Sequence, residues 1–242
     1  MKSATFITNE NICRVNEEVL ALARESAKTM LPTLVIVPDR FTLQAEKILM
    51  RDAKSLLNVR VLTFSMLYNL IHEEVAGFET AHQSNVLDKT SAVLFMWQAI
   101  QSVRGELVYF NRSVDQYAFA EKMFNTVNQL TSCMADFDKL EKNSKEDVTR
   151  RKMHDIQIIR AKYKELTKDY TDSAGMLGWL IDNLSKSKLL KEAQIFITGF
   201  EHLSVQRAEV VRGLMRRARA FIAGARKGSE FEEMLSEMRF AL

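Results

Sequence analysis

The sequence holds only two prolines, Pro32 and Pro38, and both lie near its start. Proline breaks helices and is confined to edges and bends of sheets, so its absence from the rest of the chain favours long helices over a many-stranded β fold. Glycine is scarce as well: there are eight, the first at Gly77. Everything before that position must turn without the residue that lets backbone amides approach a ligand closely. The two cysteines, Cys13 and Cys133, stand in unrelated contexts and supply neither a disulfide framework nor a metal-ligand set by themselves, so a reducing cytoplasm is expected. Charge is nearly balanced, 34 Lys plus Arg against 31 Asp plus Glu. That excludes coating of nucleic acid by charge alone and leaves only a local groove. No run reaches eighteen apolar residues, and the apolar stretch near the N-terminus is too short for a signal sequence, so no membrane association is expected.

What is present is enough apolar material, 47% of 242 residues, to fill a full core. The first third alternates strand with helix. Thr5 to Thr8 is a short strand, and Ile12 to Met30 is helical by spacing, with Val15, Val19, Leu22 and Ala23 on one face. Thr33 to Val37 is a β-branched run of the kind buried on both faces of a parallel sheet, ended by Pro38. A helix over Phe41 to Leu57, a strand over Arg60 to Thr63 and a helix over Ser65 to Ala76 follow. From about Glu79 to Leu190 the pattern is helical only: Lys89 to Val103, a helix opened by a capping box at Ser113 to Gln116, Lys152 to Lys168, and Met176 to Leu184 capped by Asp172 or Ser173. The polar stretch Glu141 to Arg151 reads as a loop. Strand character returns at Gln194 to Thr198 and at Ala220 to Ala223, with a helix over Ser204 to Ala218 between them. The expected fold is therefore α/β, a RecA-like parallel sheet of about five strands with a large all-helical insertion. Residues 1–78 and 191–227 form the core, 79–190 the insertion, and 228–242 an amphipathic helix with no place assigned in the sheet.

A triphosphate site on such a sheet needs a glycine-rich loop after the first strand, because only glycine lets successive amides turn inward around phosphate, with a lysine following. Here the segment runs Thr8, Asn9, Glu10, Asn11, with no glycine and an added carboxylate, and no lysine occurs between Lys2 and Lys28. The acidic residue that would hold Mg²⁺ at the end of a later buried strand is replaced by Thr198. A degenerate nucleotide site at Thr8, Asn9, Glu10, Asn11 and Thr198 is expected, with no cofactor in this chain. Asp39 reads either as a metal ligand or as the start of the next helix, and Glu201 as a substitute for Thr198 from the following turn. His72, His82, His154 and His202 show no paired metal spacing, and no catalytic set stands out.

Ligands on open α/β sheets bind at the C-terminal ends of the strands. Three loops there carry groups suited to nucleic acid: Arg40, Phe41 and Thr42; Phe64 and Ser65; Phe200 with Glu201 and His202. Arginine can meet phosphate, the hydroxyls can donate to phosphate or base edges, and phenyl rings can stack on bases, although a phenylalanine taken alone is more often core than stacking platform, and the set is a stronger signal than its members. A basic group of Arg212, Arg216, Arg217, Arg219, Arg226 and Lys227 reads as a DNA track or as a solvated helix face.

The run Val35 to Glu46, with Val61 to Leu67, resembles the N-terminal region of the AddB/RexB subunit of bacterial ATP-dependent helicase-nucleases. The resemblance continues in order through Asp88 to Thr90, Lys152 to Ile156, Tyr170 to Ser173 and Ile195 to Phe200. It implies a subunit of a DNA double-strand break repair and recombination complex whose helicase fold threads and inspects one DNA strand, helping to recognise the Chi sequence, while an AddA/RexA-like partner subunit supplies the motor. By position, Thr42, Phe64 and Phe200 match strand-contacting residues of that family. Arg40 replaces its Gln, Met66 its Arg and Asn69 a frequent aromatic, departures that bear on sequence specificity. Full members are far longer, and their nuclease centre and iron-sulfur cysteines belong to a distant C-terminal region. The resulting expectation is an ATPase-dead helicase-like domain that binds single-stranded DNA. The alternatives are a protein-interaction domain docking the motor subunit through its helices, and an enzyme using a small nucleotide at the same edge, which the lack of early glycine opposes.

Overall fold

The structure, a computed structural model, describes residues 3–51, 56–77, 85–143 and 146–240. It divides into two compact units, Met1–Ala81 with Leu177–Leu242, and His82–Met176. The sequence set this boundary at 79 and 190. Residue 79 lies outside the described residues, and residues 177–190 cluster with the sheet rather than with the helical unit.

The first unit is built on a five-stranded, wholly parallel sheet. Its strands are β1 (Ser3–Asn9), β2 (Thr33–Ile36), β3 (Val59–Leu62), β6 (Gln194–Ile197) and β7 (Ala220–Arg226), in the order β1-β7-β6-β2-β3. β2 is buried along its whole length, as its unbroken apolar run requires for a central strand covered on both faces. Side chains two apart share a face, and Val35, Val37, Phe196 and Ile222 meet α1 (Ile12–Ala27) and α2 (Thr42–Met50) on one side. On α1, Val15, Val19, Leu20 and Ala23 form the stripe that seats it there, whereas Leu22 is exposed.

Three expected bounds change. β1 and β7 pair over seven positions, from Ser3 opposite Ala220 to Asn9 opposite Arg226, so Asn9 belongs to a strand and β7 runs three residues past Ala223. The helix expected from Phe41 begins at Thr42, after a 3₁₀ turn over Asp39–Phe41, and ends at Met50; residues 52–55 lie outside the described residues. The C-terminal segment forms a helix, here α11 (Glu230–Phe240), that packs on β7 through Phe231, Leu235 and Met238, all buried at the i, i+4, i+7 spacing of one helical face.

The chain moves from β1 to β2 to β3 in one direction across the sheet and from β6 to β7 in the other. Right-handed crossovers then place α1 and α2 on one face and the β6–β7 connection, helix α10 (Val205–Arg217), on the opposite one. β2 and β6 are neighbours whose chains leave toward opposite faces, which opens a crevice at their C-terminal ends.

The second unit packs α4 (Lys89–Ser102), α5 (Tyr117–Ser132), α6 (Phe137–Asn143) and α7 (Asp147–Leu166) around Met96, Ile100, Val114, Phe124 and Ile159. The sequence reading missed a short parallel bridge between β4 (Asn85–Val86) and β5 (Tyr170–Thr171). Glu141 to Arg151 is not one loop. It contains the end of α6 and the first turn of α7, where Asp147 pairs with Arg150 and Arg151 one turn on. The capping box at Ser113 to Gln116 does not form: α5 starts at Tyr117, with no side-chain cap from Gln116. Instead Val114 is fully buried, its carbonyl accepts from Gln101 Nε2, and Arg104 forks onto Asp115, which fixes these residues as a turn. Asp155, fully buried, accepts the amides of Val108, Tyr109 and Phe110 and holds the loop leading into that turn. After β5 the chain forms α8 (Ser173–Asn183), at whose start Asp172 Oδ1 accepts the Gly175 amide at 2.8 Å, and then the short α9 (Lys188–Glu192) before β6.

Candidate nucleic-acid interface

The crevice between β2 and β6 begins with two backbone constraints. Pro38 ends β2, and the amide of Phe41 donates back to its carbonyl at 2.8 Å to close the 3₁₀ turn. Across from it Gly199 leaves β6 with φ +86°, and a Cβ at this position would lie 3.1 Å from both Phe41 and Pro38. Only glycine combines that backbone angle with so close an approach. Two helices then start at the edge: α3 (Phe64–Ala76), capped by Thr63 Oγ1 accepting from the Met66 amide, and α10, capped by Ser204 Oγ accepting from the Arg207 amide. The caps put Ser65 and Arg207 in first turns beside the crevice.

Two adjoining hollows result. One, of about 210 Å³, is lined by Asp39, Arg40, Phe64, Ser65, Phe200, His202 and Arg207. The other, of about 290 Å³, is lined by Cys13, Asn16, Glu17, Arg40, Phe41, Gln44 and Glu201. Arg40, Gly199 and Glu201 belong to both. The structure thus brings the expected Arg40, Phe64, Ser65 and Phe200 to one place, with Phe41 in the adjoining hollow. Thr42 is half-buried, and its hydroxyl donates to the Asp39 carbonyl at 3.0 Å.

Of the two readings of the phenylalanines, core and stacking platform, the burial of Phe64 and Phe200 matches the first. Phe64 and Phe200 are buried, 7% and 5% exposed, with ring centroids 5.6 Å apart. Phe231 of α11 lies 5.9 Å from Phe200, and the Arg207 guanidinium sits over the Phe64 ring at 5.4 Å. The segment the sequence could not place is what buries Phe200. Arg40, Ser65, His202 and Arg207 are exposed.

The charges sort into paired and unpaired. Glu201 takes both Nε and Nη2 of Arg226 at 2.9 Å, and this pairing holds the Arg226 guanidinium above its ordinary value. Its carboxylate is therefore engaged, not poised to replace Thr198. Asp39 opens the 3₁₀ turn, one of the two readings given for it. Among the described residues the Arg40 guanidinium has no ion-pair or hydrogen-bond partner. The basic group around α10 is not one track: Arg212 pairs with Glu209, Arg217 donates to the Ser187 carbonyl, and Arg219 and Arg226 stand at opposite ends of β7.

At the end of β1, Asn9 Oδ1 accepts the Asn11 amide and Asn11 Oδ1 accepts the Cys13 amide, each at 2.9 Å. Side-chain carbonyls thus occupy two of the amides that would have to face a phosphate. The Thr198 hydroxyl, fully buried, donates to Asn16 Oδ1 at 2.7 Å. Two amides of this turn are thus taken up by side chains, and the residue at the end of β6 is a hydroxyl bonded within the protein rather than a carboxylate. Among the described residues no group of three His, Cys, Asp or Glu could hold a metal, and no helix is long and apolar enough to cross a membrane. His72 is buried against Tyr68 and Trp179, His154 lies 3.4 Å from Glu141, and His82 is outside the described residues.

Sequence reasoning missed Arg207, Asn16 and Gly199. Arg207 was visible as the third residue after the helix start at Ser204. Asn16 had no signal, because its role depends on a partner 182 positions away.

A family model described as "ADDB, N-terminal" matches residues 14–225. The chain is similar to proteins named as a subunit of an ATP-dependent helicase/deoxyribonuclease: 26% identical over 194 residues in Lachnoclostridium phytofermentans, covering 77% of this chain and 17% of that protein. In Bacillus mycoides the identity is 28% over 196 residues, covering 76% and 16%. In Staphylococcus haemolyticus it is 25% over 195 residues, covering 78% and 16%. The chain spans about a sixth of the length of the curated relatives it matches.

Proposed function

The chain belongs to the ADDB N-terminal family, and from that premise we propose that it is a helicase-like domain of a DNA double-strand break repair helicase-nuclease, binding single-stranded DNA without turning over ATP. The observation that carries the reading is the crevice at the β2–β6 switch point, where an unpartnered Arg40 stands beside Ser65 and Arg207. Open α/β sheets hold ligands at this place, and an arginine without a protein partner there suits a polyanion. The occupied amides after β1 and the Thr198–Asn16 bond support the silent nucleotide site. A motor subunit of the AddA/RexA type, acting in the bacterial cytoplasm, then supplies translocation.

Fluorescence anisotropy with labelled oligonucleotides tests this. Single strands should bind more tightly than duplex, weaken as salt rises, and weaken again with Arg40→Ala. Equal and negligible affinity for both forms of DNA at low salt would remove the proposal.

A second reading is favoured by exposed apolar side chains of the helical unit, Leu94, Val108, Tyr109 and Tyr117. On that reading the unit docks the motor subunit, and contact with DNA is incidental. Co-purification with the motor subunit that is lost on Leu94→Asp, without any oligonucleotide affinity, would select it.

A further inference from the structure

We propose that β1 is a seam on which two copies of this chain pair, an inference about the sheet edge that stands apart from the DNA reading above. β1 and β3 are the outer strands of the sheet. An outer strand presents unpaired N–H and C=O groups, and folds protect such edges with brevity, charge, proline or a bulge. β3 has two of these protections, being four residues long and carrying the exposed Arg60. β1 has none of them: it runs for seven residues, Ser3–Asn9, without a charged residue or a proline, and its register with β7 is unbroken. Thr5 and Thr8 are exposed, and Ala4, Phe6 and Ile7 are half-buried.

One bond fixes which groups of β1 point outward. The Lys227 amide donates to the Asn9 carbonyl at 2.9 Å, so Asn9 faces β7. Peptide groups alternate along a strand, and Thr5 and Ile7 therefore face β7 as well, while Ala4, Phe6 and Thr8 turn their N–H and C=O groups away from it. Among the described residues no hydrogen bond reaches those outward groups. A set spaced by two about Phe6 is its own complement. A second β1, antiparallel across a two-fold axis at Phe6, sets Phe6 against Phe6 and Ala4 against Thr8, and satisfies every outward group with about six hydrogen bonds. A shift of this register by two residues leaves one of the three outward residues without a partner. In the centred register Thr5 lies opposite Ile7 and no charge meets another. The Phe6 ring, which packs edge to face against Phe221, gains a cross-strand aromatic neighbour. The edge thus specifies a second copy of itself, in one register. A single strand pair buries less than a standard interface, so the dimer is weak and forms with rising concentration.

Sedimentation equilibrium of the whole chain from about 5 to 500 µM tests this. The mass should rise with concentration from 27.8 kDa toward twice that value. Thr8→Pro deletes an outward amide that β7 does not use, so it should weaken association by about tenfold or more and leave the β1–β7 ladder intact. Thr8→Val keeps the amide and should stay within about twofold of the parent. Circular dichroism checks that both variants fold. Amide exchange in the unaltered chain gives an independent reading, because the Phe6 and Thr8 amides should slow as the dimer forms. A mass that stays at that of one chain across the whole range would overturn the proposal. So would a dimer that Thr8→Pro leaves as tight as the parent's, or one that Leu94→Asp dissolves, since the contact then runs through the helical unit. Slow Phe6 and Thr8 amides in a chain that remains monomeric would show that another segment of the same chain covers the edge, and would overturn it as well.

Discussion

Thr198 donates its hydroxyl to Asn16 Oδ1 across 2.7 Å, with both side chains buried, and so ties the end of β6 to the second turn of α1. A hydrogen bond of this kind contributes little in itself, but leaving one partner buried and unsatisfied costs about 1–3 kcal/mol. Thr198→Val keeps the shape and strands the Asn16 carbonyl. Urea unfolding should show a loss in that range, and the double variant Thr198→Val with Asn16→Leu should recover most of it. A single variant as stable as the parent would mean that water or a shifted Asn16 satisfies the site.

The same bond stands where a nucleotide-binding sheet of this kind would hold its metal ion, and the amides after β1 are occupied by Asn9 and Asn11. Mg²⁺ with ATP should therefore leave the melting temperature unchanged, whereas a nucleotide at a hundred times its dissociation constant would raise it by roughly 5–10 °C in a chain of this size. Thr198→Asp alone should not create binding, because it supplies a carboxylate without freeing any amide. A shift of several degrees in scanning fluorimetry, for the parent or for Thr198→Asp, would refute this account of the turn.

How much of this was legible depends on whether the signal was local. The buried run Thr33 to Val37, the missing glycines and the helix periods on either side are local, and they yielded the parallel sheet and its helical insertion. Placement of Phe200 was not local: its ring is covered by Phe231 of a helix that the sequence could only describe as amphipathic. The capping pattern at Ser113 was a true local preference overridden by burial of Val114 and the fork of Arg104 onto Asp115. At the crevice, residue types and loop positions were readable, but which faces of those residues remain open was decided by contacts distant in sequence.

Gly224 in β7 faces α1 so closely that an added Cβ would meet Val19 Cγ2 at 2.5 Å and Val15 Cγ1 at 2.6 Å. Both obstacles are β-branched and stiff at χ1, so neither can swing aside without moving the helix. Gly224→Ala should destabilise by about 1–3 kcal/mol, the usual range for overpacking. Gly213→Ala on α10 is the control, since the one atom its Cβ would crowd is the terminal Cδ1 of Leu184 at 2.8 Å, the far end of a side chain that a rotamer change can shift. Guanidinium unfolding should place Gly224→Ala well below Gly213→Ala in midpoint. Equal midpoints would mean that α1 is less tightly seated on the sheet than the structure shows.

His72, 7% exposed, stacks on Tyr68 at 5.0 Å and meets the edge of Trp179 at 4.7 Å, and burial pushes its imidazole below the ordinary 6.5. Because the folded value is lowered, the unfolded chain takes up the proton first as pH falls. The stability involved is fully present above pH 6.5 and is lost progressively as pH drops toward the folded value. The slope in that window should approach at most about 1.4 kcal/mol per pH unit. His72→Leu removes the titrating group, so its unfolding free energy, measured by urea titration from neutral pH downward, should lose that slope whatever its absolute stability. A profile that keeps the full acid slope after the substitution would assign the effect to the carboxylates instead.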